Sequence, residues 1–202
     1  MNSKVTHINV GNLAENCWFL ANEDTKEAVV IDPGAEPDRI CATAEKHGWK
    51  ITAILLTHGH IDHMGACESL RTELGVKVYA LTEEEDLLLD AKKNLSVFIE
   101  RKVVTFEPDE LLRDGQELTL AGMKIQVIHT PGHTPGGCSY YVADAGCVFS
   151  GDTLFAESVG RSDFPGGSTS ALVRAVKEKL FLLPDDTLVC PGHGEETTIG
   201  HE

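Results

Sequence analysis

The chain has 202 residues, 42 % of them hydrophobic, and a formal charge of −15 from 32 acidic and 17 basic side chains. That length makes one ordinary domain with room for a core, while the acidic balance argues against nucleic acid as a partner, because such binding draws on Lys and Arg. No apolar run approaches the ~20 residues of a membrane span, and the start MNSKVTHINV lacks the basic residues and apolar stretch of a signal peptide, so a cytoplasmic protein with no membrane partner is expected.

CWFLAN (17–22) and EAVVID (27–32) are the first strands predicted, each rich in apolar residues and bounded by polar turns. EPDRICATAEKHG then predicts a helix, with Pro37 in its first turn, Ile40, Cys41 and Ala44 on one face, and Gly48 at its stop. ITAILLT (51–57) is a strand, followed by a helix over 64–74, the strand VKVYAL (76–81) and a helix from Glu83 to about Lys92. The acidic run Glu83 to Asp86 reads as a solvated helix start that suits the positive end of the helix dipole. In the second half QELTLAG, MKIQVIH, GCSYYVAD, GCVFSGD and DTLVCPG are strands. GSTSALVRAVKEKLFLLP is a serine-capped helix with Leu172, Val173, Val176 and Leu180 at helical spacing. No repeat, linker or low-complexity stretch divides the chain, so residues 1–202 are expected to form one layered α/β domain. Cys17, Cys41, Cys67, Cys138, Cys147 and Cys190 form no C-x-x-C pair, the pattern of reduced thiols used as small apolar residues.

Chemistry concentrates in LLTHGHIDHMG, residues 55–65, directly after an apolar strand. Side chains alternate in extended chain, so His58, His60 and Asp62 project to one side, and His63 turns away as a helix begins. Three imidazoles and a carboxylate at a buried strand end exceed any packing need. The same grammar returns with His133 after MKIQVIH, Asp152 after GCVFSG and His193 after DTLVCPG, and strand ends in layered folds gather along one rim. Five histidines and two carboxylates are more than one tetrahedral zinc uses. Two divalent ions fit: His58, His60 and His133 on one, Asp62, His63 and His193 on the other, and Asp152 bridging. Imidazole and carboxylate suit zinc, and also iron or manganese. Asp32, before Pro33 and Gly34, reads as a turn-former, and His129 as a hydrogen-bonding support for the His133 loop.

THGHIDH, HTPGHTPG, SGDTLF and CPGHG resemble the ligand motifs of the metallo-β-lactamase superfamily, most closely its short bacterial hydroxyacylglutathione hydrolase (glyoxalase II) group. The resemblance spans nearly the whole chain and implies a four-layer αββα sandwich, a dinuclear site at the sheet edge and thioester hydrolysis. A metal-bridging hydroxide is then the nucleophile, with Asp62 orienting it and accepting its proton. The expected partner is a small thioester, such as S-lactoylglutathione. In ESVGRSDFPGGS, Arg161 matches the family's basic substrate-binding position, but Ser162, Asp163 and Phe164 stand where a tyrosine hydroxyl is expected, and Arg161 is equally suited to pairing with Asp163. With Glu202 following soon after His193, substrate selection is expected to work without the helical C-terminal domain that the resemblance associates with the larger glutathione thioesterases. A rival is a persulfide dioxygenase with a single iron on two histidines and an aspartate, which carries a similar GR-S/T-D loop. Other ester or lactone hydrolases of the superfamily are further alternatives.

Overall fold

The computed structural model describes residues 2–202. One sheet runs in chain order through β1 (Ser3–Val10), β2 (Glu15–Asn22), β3 (Glu27–Ile31), β4 (Lys50–Leu55), β5 (Lys77–Leu81) and β6 (Glu110–Leu112). Its first three strands are antiparallel and β3 to β6 are parallel. The parallel steps demand crossovers, which carry α1 (Pro37–His47), then α2 (Ile61–Met64) and α3 (Cys67–Leu74), then α4 (Glu85–Leu88) and α5 (Ser96–Ile99). The second sheet is built from β7 (Glu117–Leu120), β8 (Met123–His129), β9 (Cys138–Val142) and β10 (Cys147–Gly151). A small hairpin of β11 (Leu154–Phe155) and β12 (Ser158–Val159) and the helix α6 (Thr169–Glu178) precede its last two strands, β13 (Leu188–Pro191) and β14 (Thr197–Thr198).

Alternation along the strands sorts side chains into three apolar layers. From β2, Cys17, Phe19 and Ala21 pack outward with Ile40 of α1 and Leu70 of α3. Trp18 and Leu20 point the other way, to Tyr140 and Phe149 of the facing sheet. Val148 and Val189 turn from that sheet onto Val176 and Leu180. Every residue of β2 is therefore buried, as expected of a strand covered on both faces. Helices outside, two sheets inside: this is the expected αββα sandwich.

Differences from the sequence expectations have local causes. β1 was not foreseen, because its side chains are mostly half-buried on a sheet edge and lack a continuous apolar signal. β6 is only three residues long. The helix expected over 64–74 starts earlier and divides into α2 and α3 where the chain lies against the turn after β3. A Cβ on Gly34 would stand 1.5 Å from the Asp62 carbonyl oxygen, and one on Gly65 would stand 2.3 Å from that of Gly34. The helix expected to reach Lys92 ends with α4, and the Asp90 carboxylate then accepts from the amides of Lys92 and Lys93 in an Asx turn. Ser168 caps α6, its Oγ accepting from Ala171 N at 3.3 Å, but Val173 faces outward while Leu172, Ala175 and Val176 fill the contact.

The two sheets are tied at one rim. Trp18 Nε1 donates to the Pro191 carbonyl at 2.9 Å, and Asn16 Nδ2 donates to the same oxygen at 3.0 Å. That rim collects the ends of β4, β8, β10 and β13. All six cysteines are free, and no helix among the described residues is long and apolar enough to cross a membrane.

Candidate metal centre

The seven side chains singled out by sequence converge at the rim. His58, His60 and His133 place one nitrogen each within 4.8 Å of one another, and so do the ligand atoms of Asp62, His63 and His193. Asp152 stands between: its Oδ2 is 3.5 Å from His133 Nε2, while Oδ1 is 3.5 Å from His63 Nε2 and 3.9 Å from His193 Nε2. Asp62 Oδ2 lies 3.4 Å from His193 Nε2. His58, His60, His63 and His133 are buried, whereas Asp62, Asp152 and His193 are partly open to a groove of about 640 Å³. Gly192 is required for this closeness, since a Cβ there would lie 2.5 Å from Asp152 Oδ1 and 2.6 Å from His63 Cε1.

Hydrogen bonds behind the imidazoles fix which nitrogen faces inward. His133 Nδ1–H donates to the Arg161 carbonyl at 2.6 Å, leaving Nε2 as the lone pair, 3.0 Å from His60 Nδ1. His63 Nδ1–H donates to Asp32 Oδ2 at 3.0 Å. His58 Nδ1–H donates to Thr57 Oγ1 at 3.2 Å, and that hydroxyl donates in turn to Asp32 Oδ2. Asp32 therefore does more than make a turn, although its φ of 54° places it in one: a single buried carboxylate orients a histidine of each triad, one directly and one through Thr57. Its second function was hidden in the sequence, because VIDPG announces only the turn. His129 supports the neighbouring loop as expected, with Nε2–H donating to the Pro135 carbonyl at 2.9 Å.

Two further carboxyls escaped the sequence reading. Glu84, expected on a solvated face, is buried and accepts from Gly59 N at 2.9 Å and Gly136 N at 2.8 Å. It thus joins the loop of His58 and His60 to the loop of His133. Burial outweighs these bonds and raises its pKa to about 7. Glu15 is fully buried 3.9 Å from His63 Nδ1, and burial pushes it well above the carboxylate range despite the pull of His63.

The electrostatics separate the triads. Burial, reinforced by the other imidazoles, lowers His58 far below its ordinary value, and burial with His133 lowers His60 to about 3. Burial also lowers His133 against the pull of Asp152. These rings are therefore neutral at physiological pH, the form that ligates a cation. Around His63 burial opposes a charge, yet Asp152, Asp62 and Asp32 raise it well above the usual range. Asp62 is likewise opposed by burial but held below its usual range by His63 and His193.

Nε2 of His58, His60 and His63 and Oδ1 of Asp152 are buried without a hydrogen-bond partner among the described residues. Each such atom costs about 1–3 kcal/mol when left unpaired, and Nε2 of His58 and His63 with Oδ1 of Asp152, together with His60 Nδ1 turned to His133 Nε2, fit a cation-binding centre. Replacing Asp32 with asparagine is expected to weaken cation binding at both triads by about 10–100-fold, the usual effect of losing a partner behind a ligand. Metal titration followed by calorimetry checks it.

The sequence profile of the metallo-beta-lactamase superfamily matches residues 10–193. A probable metallo-hydrolase of Bacillus subtilis (strain 168), YqgX, is 40 % identical over 94 % of this chain and 90 % of its own length. The hydroxyacylglutathione hydrolase GloC of Haemophilus influenzae is 36 % identical over 93 % of this chain and 89 % of its own. Among solved structures, the B3 metallo-beta-lactamase BLEG-1 superposes with a TM-score of 0.93 at 38 % identity, covering 98 % of this chain and 95 % of that one. TTHA1623 in a di-iron-bound form gives 0.86 at 37 % identity, covering 97 % and 96 %. ETHE1 from Myxococcus xanthus gives 0.77 at 30 %, covering 99 % and 80 %.

Proposed function

Because the chain belongs to the metallo-beta-lactamase superfamily, we propose that its paired triads make it a two-cation thioester hydrolase, with hydroxyacylglutathione among the substrates. The observation that carries this reading is the pair of three-residue clusters with one Asp152 oxygen turned to each. His58, His60 and His133 would hold one cation, Asp62, His63 and His193 the other, and Asp152 both. Zinc suits these nitrogens and oxygens, as does the iron of the TTHA1623 structure. Bound cations would lower the pKa of water toward neutrality and polarise a carbonyl oxygen.

The protein's own groups do the rest. Asp32 and the Arg161 carbonyl hold the imidazoles of His63, His58 and His133 in one orientation each. Asp62, partly open to the groove, orients the attacking water and takes its proton. Water adds to the thioester carbonyl, the carbon–sulfur bond breaks, and the proton returns to the departing thiolate, so acid and thiol leave together. Arg161 lines the groove but forks onto Asp163 with two bonds of 2.7 Å and stacks on the Phe164 ring at 4.1 Å. Its role toward substrate is to hold Phe164 over the first triad, 5.3 Å from the His60 ring.

Protein purified without added metal is expected to carry about two divalent ions per chain, the number these donors accommodate. It should release lactate and thiol from S-lactoylglutathione without consuming oxygen, and a chelator should abolish this. A single iron with oxygen uptake on glutathione persulfide, or turnover of a chromogenic β-lactam in place of every thioester, would overturn the reading. Two cations are favoured over one because the second triad, like the first, brings its three ligand atoms within 4.8 Å of one another.

A further inference from the structure

The groove above the two triads has a composition that the hydrolytic chemistry does not require. Its walls are Leu13, Leu95, Phe98, Ile99, Phe164 and Pro165. Phe98 is 69 % exposed, Leu13 49 % and Ile99 38 %, although water-facing apolar side chains are usually scattered singly. Phe98 and Ile99 are also held in place. They ride on α5 between two residues in left-handed conformation, Leu95 (φ 67°) and Arg101 (φ 54°). The loop is closed beneath them: Asn94 Nδ2 donates to the Val104 carbonyl at 2.8 Å, and Val104 N donates to Ser96 Oγ at 3.1 Å. Two non-glycine residues in strained backbone and a buried polar clasp hold an apolar ridge beside the chemistry.

Apart from the cation-binding side chains, the polar side chains in the lining of this groove are Lys92 and Arg161. A hydroxyl on an acyl chain lying along Phe98, Ile99 and Phe164 would meet apolar side chains that offer it no partner, which disfavours it. Charge points to the other half of the substrate. In a chain of net charge −15, the groove has Lys92 in its lining with no acidic side chain there, among the described residues, besides the cation-binding Asp62 and Asp152, whereas in an adjoining cavity of about 280 Å³ Lys102 stands with Glu36 and Glu100. The charge of Arg161 is already matched by Asp163.

We infer that the groove selects thioesters with an apolar acyl chain over hydroxyacyl ones, the chain lying on Phe98, Ile99 and Phe164 and an anionic thiol reaching Lys92. This rests on the thioesterase reading for its chemistry but not for its binding test. Calorimetry on the cation-loaded protein with S-methyl-, S-butyl- and S-hexylglutathione is expected to show Kd tightening by about two- to fourfold per methylene. Phe98→Ser should flatten that slope and leave the S-methyl probe unaffected. Lys92→Glu should weaken every glutathione probe but not the uncharged S-hexyl-N-acetylcysteamine. In turnover, kcat/KM should be higher for hexanoylglutathione than for lactoylglutathione. Equal Kd along the series, or preference for the lactoyl thioester, overturns the inference. A change of oligomeric state in Phe98→Ser without loss of the slope does so too, marking the ridge as a contact between copies. Chain-length-dependent binding with no thioester cleaved would support the groove's preference and sink only the hydrolase reading.

Discussion

Asp152→Ala is expected to reduce bound cation to one per chain or fewer and to lower thioester hydrolysis by more than about a hundredfold, exceeding the loss of even an outer partner of a ligand. Its two oxygens face different triads, at 3.5 Å from His133 Nε2 on one side and 3.5 Å from His63 Nε2 on the other, so a single truncation removes a donor from both. Electrostatics compound the loss. Asp152 and Asp62 are the two carboxylates among the seven proposed ligands, and two divalent ions bring four positive charges. Without Asp152 those charges face one carboxylate and five imidazoles, in a site too enclosed for water to compensate fully. Metal analysis with parallel thermal melts checks the result: unchanged metal content in a folded Asp152→Ala protein would refute the bridging role.

The second large effect belongs to Glu84, which is buried and is not one of the seven proposed ligands. Glu84→Ala leaves the amides of Gly59 and Gly136 without their acceptor, which costs about 1–3 kcal/mol for each buried group left unpaired. It also disconnects the loop of His58 and His60 from that of His133, so affinity at the first triad should fall by about 10–100-fold. Glu84→Gln keeps the volume, but its one carbonyl oxygen can serve only one amide well, and its loss should be smaller. The pH dependence has a definite sign. Burial raises the folded pKa from 4.5 to about 7, so between those values the folded chain binds more protons than the unfolded one. The contribution of this group to stability is greatest below about pH 4.5, falls as pH rises, and levels off above about 7, a total of roughly 3 kcal/mol. In denaturant titrations from pH 4.5 to 8 the variant should lack this decline. A wild-type minus Glu84→Gln difference that does not vary with pH would contradict it.

These two residues show what was legible in the chain. Asp152 was readable because a carboxylate directly after an apolar strand repeats the pattern of His58, His133 and His193, and strand ends share a rim whatever the details of packing. The layered fold was readable for the same reason: apolar strands on both faces of a sheet demand covers. Glu84 sits among four consecutive acids, Glu83 to Asp86, and nothing local marks which one turns inward. Its burial depends on two glycine amides, one of them 52 positions away. Asp32 was half legible, since its turn is local but its hydrogen bond to His63 spans 31 positions. Arg161 shows a third case: an anion-binding group and a partner for Asp163 were both compatible with the sequence, and the structure shows the fork onto Asp163 on a side chain that also lines the groove.

Each triad takes two residues from the segment after β4, His58 and His60 from its loop or Asp62 and His63 from α2, and one more from a loop of the second sheet, His133 for the first and His193 for the second. A growing or refolding chain therefore has no complete cage to offer until its halves have docked, and the ion is a latch on a finished box. Added zinc is then expected to leave the refolding rate nearly unchanged and slow unfolding severalfold or more, the signature of contacts completed after the rate-limiting barrier; stopped-flow refolding and unfolding with and without zinc checks it. A chain starved of metal would then assemble at its normal speed and be lost to proteolysis afterwards, through the more frequent reopening of its native state.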